Sequence, residues 1–381
     1  MAALISGLTY AVLAFGSLRP LRLDRAGAAL VGATAMVAAG VLTPAQAVAA
    51  VDFHTLALLF GVMVVVAHLR LAGFFRWLAA RTLVLAHAPR TLLTLGVVVA
   101  GVLSALFVND TIYLLLTPLV LEATAGLGYP PVPFLLAVAM GANVGSVATI
   151  VGNPQEMFVA GLSGISYPRF AMVLAPVAVA GLALTAWFLG HAFRRELAAF
   201  APASALLITR RLKPVKVYAQ VDWALLAIFA GPFVVVEGIE RSGLARRWLA
   251  LLDAGRDGSL AALVGVTAVM SHLVSNVPAG LLLKGVAGHG ADPDRTWLAL
   301  AMASTLAVDL TRVGSVANLI VVEQARGRAE IGFWTYARVG VPLTPLTLAL
   351  GTCGLLLATP RGRAAAAQPT RSITSAGAGT A

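Results

Sequence analysis

Apolar runs long enough to cross a bilayer recur along the whole chain, and they constrain the fold more than any other feature. Stretches of about 17–25 apolar residues match the thickness of a hydrocarbon core. They occur near residues 2–17, 26–45, 53–69, 132–160, 171–192, 222–240, 296–325 and 333–358. Only 11% of the residues are charged and 59% are hydrophobic, against roughly 25% and 45–50% in soluble domains. The cations sit in short clusters between the runs rather than in a continuous basic face, so the net charge of +11 belongs to membrane loops and not to a nucleic-acid surface. One cysteine, Cys353, excludes disulfide frameworks and cysteine-based zinc or iron–sulfur sites. An all-α polytopic membrane protein is expected.

Two more apolar stretches, 91–125 and 259–287, are interrupted by polar residues at Val108-Asn109-Asp110-Thr111 and Ser275-Asn276-Val277-Pro278. Each reads either as two tight spans or as a hairpin that enters and leaves on one side. The topology is the same in both cases. Basic residues set orientation. Sixteen fall in one set of loops, which includes 193–221, and nine in the other. The first set is expected in the cytoplasm and both termini outside, in an inner membrane. The first run has no basic flank and reads as an anchor rather than a signal peptide.

The chain resembles itself at an offset near 170. Val51-Asp52-Phe53 matches Val221-Asp222-Trp223, the Asn109 break matches the Asn276 break, and Gly145-Ser146-Val147-Ala148-Thr149 matches Gly314-Ser315-Val316-Ala317-Asn318. The expected divisions are N-terminal helices 1–50, a first repeat 51–193, a basic cytoplasmic loop 194–220, a second repeat 221–358 and a disordered tail 359–381. Each repeat has three full crossings, an odd number, so the copies must face opposite ways. Inverted repeats with discontinuous helices point to a secondary transporter whose site lies at mid-membrane, where the copies meet.

Backbone that leaves the helix in lipid is tolerated only where protein or a water-filled cavity satisfies it. Four segments have that character: 107–111, 141–156, 275–278 and 304–318. Gly141 and Gly145 also fit a simple helix-packing face. Charge inside the membrane is costly and marks function by default, which singles out Asp110, Glu156, Asp309, Arg312 and Glu323. Asp309 and Arg312, three apart, share a face if that segment is helical. They either neutralise each other, or Arg312 holds an anion while Asp309 carries a proton or sodium. Glu156 and Glu323 take nearly equivalent repeat positions. The six histidines lack a His-Glu-x-x-His spacing, and no Walker loop is present.

Asn109-Asp110-Thr111, Ala142-Asn143-Val144-Gly145-Ser146 leading to Gly152-Asn153-Pro154-Gln155, Ser275-Asn276, and Ser304-Thr305 leading to Gly314-Ser315-Val316-Ala317-Asn318 resemble the ion transporter superfamily. That group includes citrate permeases, divalent-anion/sodium symporters, arsenite permeases and sodium/proton antiporters. The resemblance implies an elevator-type inverted-repeat transporter, usually a homodimer, with about eight full spans plus two re-entrant hairpins and broken helices. It places substrate and coupling ion at Asn109, Thr111, Asn143, Ser146, Thr149 and Asn153 in the first repeat. In the second it implies Ser275, Asn276, Thr305, Thr311, Ser315 and Asn318, and the charges inside the membrane add Asp110, Asp309 and Arg312 to the expected substrate and ion site. Sodium would sit at Asn109 and Asn276. The hairpin triplets are incomplete, and Asp309 and Glu156 depart from the usual Asn-Leu-Thr-Leu and Gly-Asn-Pro-Gln-Asn runs, which points either to proton coupling or to a site modified for another substrate. No other cofactor is expected.

The leading expectation is therefore a secondary transporter of a di- or tricarboxylate or an inorganic oxyanion, driven by protons or sodium. Arsenite or antimonite efflux is the alternative, since a neutral oxyacid needs hydroxyl and amide partners rather than a cation. A sodium/proton antiporter would rest on Asp110 and Asp309. An anion channel remains from another class, while the lack of an activated nucleophile disfavours an enzyme.

Overall fold

A computed structural model describes residues 1–15, 25–86, 88–198, 260–274, 276–287, 292–312 and 314–358, with short helical pieces at 231, 234–238 and 241. Most of these residues are helical, with no strand among them. Ser275, most of the 194–220 loop and the 359–381 tail lie outside the described residues.

The chain opens with α1 (Ala2–Phe15), α2 (Arg25–Ala38) and the short α3 (Pro44–Ala50), which Thr43 and Gln46 start with a reciprocal capping box. Next come α4 (Phe53–Leu71), capped by Asp52, and α5 (Phe74–Leu85). The first repeat continues with the hairpin arms α6 (Pro89–Leu106) and α7 (Asn109–Leu127). The split crossing α8 (Pro131–Ser146) and α9 (Pro154–Ser163) and the long α10 (Tyr167–Ala192) complete it. The second repeat supplies the arms α11 (Leu260–Val274) and α12 (Asn276–Ala287). Its split crossing is α13 (Pro293–Leu306), a 3₁₀ turn (Ala307–Leu310) and α14 (Val316–Ala325), and α15 (Phe333–Ala358) follows. Five of these helices, α4, α6, α7, α10 and α15, are each long and apolar enough to cross a membrane. Large apolar side chains such as Leu4, Phe60, Trp187, Trp334 and Leu357 face outward, as lipid-facing surfaces require.

The inverted relation is visible in the packing. α10 and α15 are both 26 residues long, and Pro176 and Pro342 take the same place in each. They nevertheless run antiparallel. Arg338 near the start of α15 bonds the Ala192 carbonyl at the end of α10, and Gly351 meets Val177 far along the pair. Equivalent helices that run in opposite directions mean inverted copies. At the other end, Arg169 pairs with Asp294 at 3.0 Å. The loops before α10 and α13 therefore share a side, and the chain after α10 shares the opposite side with the loop before α15.

Geometry also decides the first hairpin. Val97 meets Gly141 and Gly101 meets Gly145, so α6 and α8 run parallel and enter from one side. A side chain at Gly141 or Gly145 would overlap the α6 backbone, so both glycines serve packing. The hairpin tip, Phe107-Val108, ends level with the gap between α8 and α9, where Asn109 N–H donates to the Gly152 carbonyl at 3.0 Å. The tip stops at the break of a full crossing, which makes the segment a re-entrant hairpin. The described arms of the second hairpin, 15 and 12 residues, extend about 22 and 18 Å at 1.5 Å per residue.

Two expectations need correction. The uncoiled segments are shorter than 141–156 and 304–318. α8 stays helical through Ser146, and α13 runs to Leu306 before the 3₁₀ turn, leaving 147–153 and, among the described residues of the second break, 311, 312, 314 and 315 outside the helices. The repeat register differs too. Gly152 packs over the Ser146 carbonyl as Gly314 packs over that of Val308, so the split crossings are offset by 162 residues and not 169. Glu156 is then the counterpart of Asn318, not of Glu323, and Asn143 that of Thr305.

Candidate functional site

The two split crossings pass each other where each loses its helix, and their polar side chains meet there. Asn143, in the last turn of α8, is the hub. Its Nδ2 donates to Asp309 Oδ1 at 2.6 Å and to Asn318 Oδ1 at 2.9 Å, both in the second repeat. Its Oδ1 accepts from the Tyr113 hydroxyl at 2.5 Å and from Asn109 Nδ2 at 3.4 Å. Asn318 also donates to the Val308 carbonyl at 2.8 Å, tying α14 to the 3₁₀ turn. Asn109 Oδ1 accepts from the next N–H at 2.8 Å, and Asn276 at the second tip repeats that contact at 3.0 Å.

A second cluster forms where α9 meets α13. The Thr305 hydroxyl donates to Glu156 Oε1 and accepts from Gln155 Nε2 at 2.7 Å. Thr305–Glu156 is the counterpart of Asn143–Asn318, with one residue from each repeat. Asn153 Nδ2 donates to Ser146 Oγ at 2.5 Å, and Ser146 donates to the Asn143 carbonyl at 2.7 Å, which links the clusters. All these side chains are buried, yet several acceptor oxygens have no partner: Asn153 Oδ1, Gln155 Oε1, Glu156 Oε2 and Asp309 Oδ2. Among the described residues no ion pair reaches Glu156 or Asp309. An apolar groove outside the first tip, lined by Leu58, Val65 and Phe107 among others, is separate from this enclosed polar core.

The remaining expected residues are spread around these clusters. Thr149 bonds the Ala105 carbonyl and fastens the break to the hairpin. Thr311 lies 3.3 Å from His272 Nε2. Asp110 and Ser315 are buried, beside the first tip and in the second break. Thr111 lies in the first turn of α7, outside the hydrogen bonds of the hub. Arg312 departs from the expected pairing. Thr311 is extended (φ −141°, ψ 161°), so the face shared with Asp309 is lost and Arg312 Nη1 donates to the Ile331 carbonyl at 2.8 Å.

Sequence reasoning missed two tyrosines. Tyr113 lies four residues after Asn109 on one helix face, a spacing that pointed to it. Tyr336 is fully buried, and its hydroxyl lies beside the Asp309 carboxyl without reaching hydrogen-bond geometry. Gly340, one turn later, lets α15 press against the carbonyls of Asp309 and Leu310, and this contact sets Tyr336 in place.

Residues 10–307 match the family model described as citrate transporter. The chain belongs to the citrate transporter family. Relatives include the silicon efflux transporter LSI3 of Oryza sativa subsp. japonica, 27% identical over 92% of this chain and 96% of that protein. An uncharacterized transporter of Mycobacterium tuberculosis is 27% identical over 88% and 94%. The putative transporter arsB of Dictyostelium discoideum is 24% identical over 87% of each chain. Membership in this family, with its membrane-spanning helices, makes the protein a multi-pass membrane transporter and not an enzyme.

Proposed function

We propose that this transporter exchanges a small, fully protonated oxyacid against protons. One observation carries the reading: the enclosed core holds a surplus of unpartnered acceptor oxygens, on Asn153, Gln155 and Glu156, and among the described residues no cationic side chain pairs there. Buried acceptors without donors are costly, at about 1–3 kcal/mol each. A solute that presents several O–H donors removes that cost, whereas a carboxylate or sulfate brings further acceptors and negative charge. The name of the rice relative, a silicon efflux transporter, agrees with such a solute.

In the same reading the hairpin tips and split crossings move together as an elevator, and the protein works as a homodimer. The membrane is the cell inner membrane, with the chain after α10 in the cytoplasm. This side follows the excess of basic residues. Protons rather than sodium drive the cycle, because Asp110, Glu156 and Asp309 supply carboxyls where the superfamily pattern has amides.

A second reading, transport of a di- or tricarboxylate or oxyanion, is favoured by the helix starts of α9 and α14 at the two breaks, since a helix N-terminus suits an anion. Its support also includes the citrate description of the family model. Uptake of arsenite, citrate, succinate and sulfate into proteoliposomes, under an imposed proton or sodium gradient, separates the two. Arsenite is neutral arsenous acid at neutral pH. Saturable, proton-driven arsenite flux with no citrate or sulfate flux is expected. Citrate or sulfate flux without arsenite flux overturns the reading, and unsaturable flux indicates a channel.

A further inference from the structure

Because the two repeats share a backbone plan, a polar group found in only one of them marks a task that the other lacks. The cross-repeat bonds are shared, with Asn143–Asn318 answered by Thr305–Glu156. Three buried residues at the hub are not shared. By the offsets of the split crossings, the last helices and the hairpin tips, Asp309, Tyr336 and Tyr113 correspond to Val147, Phe170 and Gly280. The second half therefore carries a carboxyl and a phenol, and the tip helix of the first half another phenol, where the partner positions are apolar.

We propose that Asp309 takes up and releases the coupling proton, with Tyr336 as the positioning residue whose hydroxyl lies beside it and closes onto it as the proton moves. This assignment rests on the reading of the chain as a proton-driven transporter and names the group that couples it. Asp309 Oδ1 is held by Asn143 at 2.6 Å, while Oδ2 and the Tyr336 hydroxyl, both buried, have no hydrogen-bond partner. A proton arriving from water adds to Oδ2, and the new O–H donates to the Tyr336 oxygen. On release the proton returns to water, and the Tyr336 hydroxyl reverses to donate to the carboxylate. Only an O–H bond forms or breaks.

The surroundings isolate this exchange. From α15 only Tyr336 faces the carboxyl, and from α7 Tyr113 lies within electrostatic range, itself influenced by Asp110. α8 contributes Asn143, which does not titrate. From α11, His272 meets Thr311, and Arg312 is occupied with Ile331. No carboxylate and no cation competes directly for the proton among these groups. Through Asn143, the state of Asp309 reaches Asn318, Tyr113 and the first hairpin tip, so protonation is communicated to both repeats.

Arsenite flux in proteoliposomes tests this with Asp309→Asn, Asp309→Glu and Tyr336→Phe. In Asp309→Asn, accumulation driven by a proton gradient falls by at least about tenfold, and the remaining exchange flux no longer varies with pH. Asp309→Glu restores part of the pH response. Tyr336→Phe keeps proton-driven accumulation but shifts the midpoint of its pH profile, a change that loss of packing alone would not produce. If Asp309→Asn aggregates, the Tyr336→Phe profile decides. Gradient-driven accumulation by Asp309→Asn equal to the parent, or an unmoved profile in Tyr336→Phe, overturns the assignment. A parent protein that moves arsenite with sodium and ignores protons overturns the coupling reading while leaving transport standing. A parent that moves no arsenite at all strikes the functional reading itself, and it does so before any variant is made.

Discussion

Asn143 and Asp309 stand 166 residues apart in the chain and are joined by a 2.6 Å hydrogen bond between side chains that water does not reach. The bond joins one inverted copy to the other at the point where both crossings lose their helix. Asn143 engages Asp309, Asn318 and Tyr113 with its two ends, and no other residue type of that size offers both donors and acceptor. Asn143→Leu strands those three groups, each at about 1–3 kcal/mol. Thermal unfolding in detergent is expected to fall well below that of the parent, with loss of transport. A variant that melts with the parent would show that the bond contributes little to stability.

The glycines give a sharper contrast. An added methyl at Gly145 would overlap the backbone of Gly101, and one at Gly340 would overlap the carbonyls of Asp309 and Leu310. Backbone cannot yield as a side chain does. Gly190 has open space around it in the same class of helix. Gly145→Ala and Gly340→Ala are expected to destabilise the protein severely. Gly190→Ala should be neutral or stabilising by up to about 1 kcal/mol, the helix-propensity gain. Comparing melting temperatures of the three in one detergent checks the packing directly.

Much of this arrangement was legible in the chain because lipid imposes simple rules. The apolar runs marked the long crossings α4, α10 and α15, and the polar interruptions at Asn109 and Asn276 marked the breaks, as two spans or a hairpin, since such residues survive in a membrane only where something satisfies them; the run at 222–240 lies largely outside the described residues. Register was harder. Gly145–Thr149 and Gly314–Asn318 look alike because small apolar residues recur everywhere in this chain, but the true equivalence is set by which glycine lies over which carbonyl. That relation is three-dimensional. Tyr113 and Tyr336 were hidden for another reason, since a lone aromatic residue in an apolar helix reads as core. Arg312 and Asp309 would share a face only in a helical segment, and the extended backbone at Thr311 turns the chain between them.

Arg312 therefore separates the two substrate readings. Its guanidinium holds the Ile331 carbonyl at 2.8 Å, and no ion pair of the described residues joins it to Asp309. If the substrate is a neutral oxyacid, Arg312→Leu loses one loop contact and leaves the KM for arsenite within about threefold of the parent, consistent with at most about 0.7 kcal/mol. Should Arg312→Leu raise KM by about tenfold or more with kcat unchanged, the guanidinium contacts a bound anion and the oxyanion reading takes precedence.

The Glu156–Thr305 contact offers the most direct measure of how the second cluster works. Thr305 relays between Gln155, from which it accepts, and Glu156, to which it donates, so removing its hydroxyl unsettles both. Glu156→Gln removes one acceptor oxygen in favour of an amide donor, which lowers the surplus that favours an O–H-rich solute. Each single change is expected to weaken arsenite binding by about tenfold, near 1.4 kcal/mol. The two residues touch, so their effects should not add. In a double-mutant cycle with Thr305→Val, the coupling energy is expected at about 1–3 kcal/mol, the range for residues in one hydrogen-bonded network. Isothermal calorimetry of arsenite on the four purified proteins measures it. A coupling within about 0.3 kcal/mol of zero would mean that the two side chains act on the solute independently, and that Gln155 and Asn153 hold the remaining acceptors without help from the hydroxyl.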